Sequence, residues 1–300
     1  MKIKHPFMYQ DIEIPKSKID AIDALRTWLS FQPHLPKLSD ETIMLFLHSC
    51  YYSLERTKDT IENYYTLRGK CPEFFSNWNF DDLQELWKVG EMAPLPKATP
   101  EGYQIILYRL KDLDPSKLLF NDLVKCFCAF NDAKISEDGL VPGYIVILDM
   151  KGLSFSHFMK VTPYVQSIRC ILLYLQECHP VRLKQVHVIN TVSFMDRVLS
   201  LIKPFIQSEL MNILHLHGSA ESLSEYFPLD LMPEEYGGKQ TAVSKLHDDF
   251  NRLMEERYKQ WLKECEKFVA NEKNRTGKPR KDITKASTEL EGSFRKLDID

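Results

Sequence analysis

Residues 143–152 read GYIVILDMKG. Gly143 opens the run, and the turn signal Lys151-Gly152 closes it. Between them Tyr144 to Asp149 is short and rich in β-branched residues, as a fully buried strand must be. Asp149 stands at the end of that strand, where it is read as the cap of the following turn. Two similar runs follow, VHVIN at 186–190 and ILHLH at 213–217, and a third, YQIILYRL at 103–110, precedes. The stretches between them carry apolar residues at helical rather than alternating spacing: 118–130, 161–178 and 192–213. Strand alternating with helix implies an α/β sheet with parallel pairing.

Upstream the pattern changes. Ile22, Leu25, Trp28 and Leu29 recur at helical spacing, and Pro33 and Pro36 then break the chain. Ser39 or Asp40 can cap a second helix through Ile43, Phe46 and Leu47. Ser53 can cap a third through Leu54, Ile61 and Tyr64 or Tyr65, ended by Gly69 and Pro72; Leu83, Leu86 and Trp87 suggest a short fourth. Residues 1–92 therefore read as a small all-α bundle. Ala93-Pro94-Leu95-Pro96-Lys97 reads as a linker, because two prolines oppose helix and central strand. The α/β domain then spans 97–243. Residues 244–300 are a long helix (Leu246, Phe250, Leu253, Tyr258, Trp261, Leu262, Cys265) and, from Asn271, a polar and basic tail expected to be mobile.

Composition bounds the rest. The chain has 300 residues, 44% hydrophobic and 27% charged, enough apolar material for a sizeable core. With 39 basic and 42 acidic residues the net charge is -3, so no bulk positive field marks a nucleic-acid partner. The longest clean apolar runs are five residues, as at 144–148 and 171–175, far short of a membrane span. The first fifteen residues hold no continuous apolar run, so no secretory signal is expected. Seven scattered cysteines without paired Cys-x-x-Cys knuckles read as buried reduced thiols. A cytoplasmic monomer is the expectation.

Enzyme motifs are missing. There is no nucleophile elbow, no dinucleotide fingerprint and no phosphate-binding loop, so neither catalysis nor a cofactor is expected. His215 and His217 share one strand face, but no third ligand is close in sequence, which favours a hydrogen-bonded pair over a metal site. What stands out is apolar material on helices flanking the sheet: Leu123, Phe127 and Phe130; Ile168, Ile171, Leu172 and Leu175; and Phe194, Met195, Val198, Leu199, Ile202, Phe205 and Ile206. Periodicity alone leaves two readings open, plain core packing or walls enclosing a cavity for an apolar guest.

The joint order of several segments resembles the CRAL-TRIO family. They are LRTWLSFQPHLP (25–36), residues 39–75, GYIVILDMKG (143–152), PVRLKQVHVIN (180–190), IKPFI (202–206), LHLHG (214–218) and LMPEEYGG (231–238). The resemblance covers about residues 15–240 and implies a helical N-terminal domain followed by a lipid-binding α/β domain with a gate helix, here Val192 to Leu210. It implies a carrier of a small hydrophobic ligand with transient membrane contact. The implied pocket wall is Phe127, Phe130, Tyr144, Val146, Leu148, Ile171, Tyr174, Leu175, His179, Phe194, Val198, Leu199 and Ile202. Pro204 would let the gate bend. Phosphoinositide or membrane contact would fall to Arg182, Lys184, Lys203, Phe205 and Ile206. The family's arginine-rich turn after Phe46-Leu47 is here His48-Ser49-Cys50, and gate-end positions basic in family members read Glu209 and Ile213, so that groove is half present. A phosphoinositide-dependent exchanger and a protein adaptor without a pocket are the alternatives.

Overall fold

A computed structural model describes residues 14–264 and 267–276. The N-terminal helices are α1 (Ile19–Ser30), α2 (Asp40–Ser49), α3 (Leu54–Lys70), α4 (Pro72–Phe75) and α5 (Phe80–Leu86). Ser39 and Ser53 cap α2 and α3, their hydroxyls accepting from Thr42 N and Arg56 N, which satisfies donors that a helix start leaves unpaired. A buried ion pair ties the bundle to the later helix Phe120–Asp138. Arg68 Nη1 donates to Asp132 Oδ2 at 2.8 Å, both side chains almost wholly buried. The guanidinium also lies over the rings of Phe75, Tyr64 and Trp78.

The sheet has five strands in the order β1-β2-β3-β4-β5: Gly90–Pro94, Gln104–Leu110, Tyr144–Asp149, Leu183–Ile189 and Leu214–Leu216. β1 runs antiparallel to β2 and the other pairings are parallel. The stretch 93–97 is thus more than a linker, since Ala93 and Pro94 end an edge strand, where a proline is tolerated. Gly90 to Met92, grouped with the bundle on sequence, also belong to that strand. Gly143 has no space for a side chain, because a Cβ there would sit 2.5 Å from Lys184 Cγ and 2.9 Å from Arg182 O.

The crossovers are α6 (Phe120–Asp138), then α7 (Phe155–Val161) with α8 (Val165–Leu173), then α9 (Met195–Ile202) with α10 (Ser208–Asn212). Parallel strands laid down in sequential order with one crossover hand place their helices on one face of the sheet. The other face is covered by residues 220–243, with Leu223, Phe227, Met232 and Val243 packed on Ile105, Leu107, Ile145 and Ile147.

Two of the long helices read from sequence are broken. Residues 161–178 divide at Pro163, and the last turn, Tyr174–Cys178, is a π-helix. The 192–213 stretch divides at a 3-10 turn, Lys203–Phe205, around Pro204. Pro204 lacks the N–H that a continuing helix needs. The C-terminal helix α11 (Val243–Leu262) is integral, burying Phe250, Met254, Tyr258 and Trp261. The tail expected to move from Asn271 is fixed at least to Thr276. Asn271 N donates to His34 O at 2.7 Å, and Arg275 Nη1 pairs with the buried Glu62 at 2.6 Å. The expectation for 277–300 lies outside the described residues, as does that for Cys265; the six described cysteines are buried and none is in a disulfide.

Candidate functional site

Side chains alternate across a strand, so one residue parity must face the helices. That parity is Ile106 and Tyr108 on β2, Tyr144, Val146 and Leu148 on β3, Val186 and Val188 on β4, and Leu214 on β5. They do not meet the helices in full contact. Between them lies a cavity of about 560 Å³, within the ~300–1,000 Å³ of small-molecule sites. Its far wall is α6 (Phe120, Leu123, Val124, Phe127), α8 with its π-turn (Ile171, Leu172, Leu175) and α9 (Met195, Val198, Ile202). No residue of α9 is fully buried. It lies over the cavity with its apolar edge inward and Asp196, Arg197 and Ser200 exposed.

Of the expected wall, the cavity brings together Phe127, Tyr144, Val146, Leu148, Ile171, Leu175, His179, Val198 and Ile202. It leaves out four. Phe130 turns into the solid core against Tyr108 and Phe250. Tyr174 is rotated into the bundle against Tyr64 and Phe75. Phe194 packs on Phe155 and Phe158, with ring centroids 5.6 and 5.9 Å away, at the N-terminal end of α9. Leu199 is half-buried away from the lining. Sequence reading also missed the second half of α6, where Asn131, Lys134 and Ile135 carry the wall one turn further. The continuing i, i+4 spacing from Phe127 was the available signal.

The polar atoms at the cavity are nearly all committed. Asn131 accepts from Tyr108 OH and donates to Phe127 O. Tyr144 OH donates to Asp138 Oδ2 at 2.8 Å, and Lys134 pairs with the same carboxylate. At one end Arg109 bridges Glu91 (2.6 Å) and Glu235 (3.1 Å). Asp149 accepts from Lys151 N, Asn190 Nδ2 and Tyr236 OH, a turn cap with no free carboxylate oxygen for chemistry. These bonds explain LMPEEYGG, whose Glu235 and Tyr236 tie together the ends of β2 and β3. In the same motif a Cβ on Gly238 would come 1.8 Å from Met232 O.

His179 is different. Its Nε2 is buried and has no hydrogen-bond partner among the described residues. Burial, helped by the charge of Arg68, pushes its pKa down to about 3, so the imidazole is neutral at pH 7. Its ring lies 5.1 Å from that of Tyr174, and the residue also lines the cavity.

Arg182 and Lys184 sit outside the cavity mouth and are engaged by the turn after α2. Arg182 Nε donates to His48 O at 2.8 Å and its guanidinium lies 4.3 Å from the Tyr51 ring centre. Lys184 Nζ donates to Tyr51 OH at 2.9 Å, and Lys18 lies 4.0 Å from the centre of the Tyr52 ring. Tyr51 and Tyr52 have φ of 53° and 65°, a left-handed conformation costing an L-residue ~1–2 kcal/mol, and the cations stack on what it exposes. Lys203 is exposed on the 3-10 turn after α9; Phe205 is half-buried there; Ile206 lines the cavity.

The expected histidine pair gains a third member from β4. His187 stands opposite His215 in register, and its Nδ1 lies 2.9 Å from His217 Nε2. Gln185, Ser222 and Tyr226 satisfy the remaining ring nitrogens they reach. Burial and the neighbouring imidazoles push His187 down to about 3, so its ring is neutral at pH 7, and the three histidines form a hydrogen-bonded cluster on the sheet face away from the cavity.

Residues 88–238 match the family model described as CRAL/TRIO domain, and residues 1–85 match one described as Pinta-like, UBA domain. The chain belongs to the CRAL-TRIO family of lipid-binding proteins. Among its relatives is the alpha-tocopherol transfer protein-like protein of Homo sapiens, 28% identical over 230 residues, which are 75% of this chain and 67% of that one. Clavesin-1 of Xenopus laevis is 25% identical over 232 residues, 75% of this chain and 69% of that one. The crystal structure of Sfh5 superposes with a TM-score of 0.47 and 12% identity, covering 83% of this chain and 99% of that one. The CRAL-TRIO match ends at Gly238, so it takes in the sheet, every crossover helix around the cavity and the motif that closes β2 and β3. Among the described residues no helix is long and apolar enough to cross a membrane.

Proposed function

We propose that this protein holds one small apolar lipid in the cavity and carries it between membranes, with α9 as the gate. The observation that carries the reading is the cavity itself: apolar walls, paired polar groups, and one buried polar atom, His179 Nε2, without a partner. Removing a methylene from water gains ~0.8 kcal/mol, so ten such groups give ~8 kcal/mol before ordering costs. No covalent step or cofactor is needed. The guest has a long apolar body and one hydroxyl or carbonyl that pairs with His179, whose donor and acceptor forms suit either. The tocopherol named for the transfer-protein-like relative belongs to the same chemical class.

Release occurs when α9 swings out at a bilayer, where its apolar edge and the Phe155–Phe158–Phe194 cluster enter the interface. Phe155 and Met159 are already 41% and 52% exposed beside it. The gate is latched by the π-turn: Gln176 Nε2 donates to Phe205 O at 3.0 Å and its Oε1 accepts from Gln207 N at 2.7 Å.

A second reading, in which an anionic headgroup triggers release, is favoured by the clustering of Lys18, Arg182 and Lys184 around Tyr51 and Tyr52. Each basic residue near an anionic surface contributes ~1 kcal/mol. Arg182→Glu with Lys184→Glu should therefore slow transfer to anionic vesicles by roughly tenfold or more at low salt, with solution binding intact and the difference shrinking as salt rises. Equal rates across salt would remove this trigger; no transfer by the wild type to any vesicle would remove the carrier reading.

A further inference from the structure

Away from the cavity lining, two chain segments converge on a pair of thiols. Cys71 ends α3 and starts α4, and is 1% exposed. Cys170 lies on α8 and is 3% exposed. Glu73, two residues beyond Cys71 on α4, reaches solvent. The two Sγ atoms and a Glu73 carboxylate oxygen all lie within 4.8 Å of one another. We propose that Cys71, Cys170 and Glu73 form a zinc site that clamps the N-terminal bundle to the wall of the α/β domain.

The donor set decides the metal. Two thiolates exclude hard ions such as magnesium and calcium, which take oxygen ligands. Zinc accepts sulfur with oxygen, imposes no electronic geometry, and commonly takes three protein ligands with water in a fourth position. Zn–S of ~2.3 Å and Zn–O of ~2.0–2.2 Å need the donors drawn to within about 4 Å of each other, a shift that side-chain rotation supplies. The two Sγ atoms are already close enough to share one ion. Gln166 Nε2 donates to Cys170 Sγ at 3.7 Å and Arg169 is close, both favouring a thiolate at that sulfur. Zinc binding would release both thiol protons to solvent. Two thiolates and a carboxylate around it leave one net negative charge, which Arg169 offsets. Glu73 at the surface gives the ion its way in.

The site also has a structural consequence. Ile171, the residue after Cys170, lines the cavity. A metal there fixes α8 against the α3–α4 corner, so the wall holding the guest is tied to the bundle.

The test uses the full chain, purified under reducing conditions and stripped with a chelator, then titrated with Co²⁺ and back-titrated with Zn²⁺. One Co²⁺ per chain should appear with thiolate-to-cobalt charge-transfer absorption, be displaced by one Zn²⁺, and raise the melting temperature. Cys170→Ala should abolish the absorption. Cys126→Ala, at a buried cysteine on α6, should leave it unchanged. Because a buried cysteine variant can fail to fold, the surface variant Glu73→Gln is measured as well; its zinc affinity should fall at least ~10-fold. The proposal is overturned if no charge-transfer absorption develops, if Glu73→Gln or a folded Cys170→Ala retains wild-type affinity, or if the freshly reduced chain instead closes a Cys71–Cys170 disulfide and then takes up no metal.

Discussion

Leu175→Trp separates a cavity that holds a guest from a cavity that merely exists. Leu175 lines the cavity from the π-turn and is half-buried, so a larger side chain there points into empty volume rather than into packed neighbours. Tryptophan brings about six more non-hydrogen atoms than leucine. If each displaces one methylene-sized part of the guest at ~0.8 kcal/mol, the loss is ~5 kcal/mol. That is three to four powers of ten in Kd at ~1.4 kcal/mol each. Stability should change little, because overpacking costs ~1–3 kcal/mol in a filled core and the indole occupies unfilled space. The contrasting variant is Phe130→Ala, which should cost ~3–5 kcal/mol in stability while leaving the guest-contacting wall in place. The assay is the fraction of chains that retain a guest through purification, read by native mass spectrometry, alongside urea denaturation. Full guest occupancy in Leu175→Trp would refute the placement of the guest against the π-turn.

Three further outcomes follow from the same geometry. Asp132→Ala strands the buried Arg68 charge and should cost ~3–5 kcal/mol, whereas Asp132→Leu with Arg68→Met should recover most of it in urea melts. His179 stays neutral in the folded chain down to about 3, while its unfolded counterpart takes a proton near ~6.5, so stability is full above that pH and falls as pH drops; the single residue accounts for ~2 kcal/mol between pH 7 and 5, and the pH slope of His179→Leu should be shallower by that amount. Gln176→Leu removes both latch bonds to the gate, worth ~1 kcal/mol each, and should speed guest release to vesicles by roughly thirtyfold without changing the fold; an unchanged rate would show that the latch does not hold the gate.

Local chemistry made much of this architecture legible. YIVILD is a strand because a short β-branched run bounded by turn residues has few other options, and Ser39 and Ser53 are caps because their hydroxyls reach unpaired amides. β1 was hidden because GEMAP has no β-branched residue and a proline; it is a strand only because β2 lies beside it. On β3 the resemblance supplied Tyr144, Val146 and Leu148, and strand alternation puts all three on the face that lines the cavity, so there the wall was legible. It was not legible on helices buried on more than one side. Phe127 and Phe130 sit three residues apart on α6, which packs against the cavity, the bundle and α11 together, so spacing could not say which of them faces the empty side. Tyr174 packs against Tyr64 and Phe75 of the bundle, and it is its neighbour Leu175 that lines the cavity. The third histidine and the Cys71–Cys170 pair are contacts across 28 and 99 positions of chain, which only the fold could bring together.

The most direct test of the account is the mass of the folded chain, compared under native and denaturing conditions after expression in lipid-containing cells. The account predicts one discrete excess mass per chain that fits a guest of the ~300–1,000 Å³ site class, disappears on unfolding, and is absent from Leu175→Trp. Identical native and denatured masses for the wild-type chain, in every host tried, would contradict it.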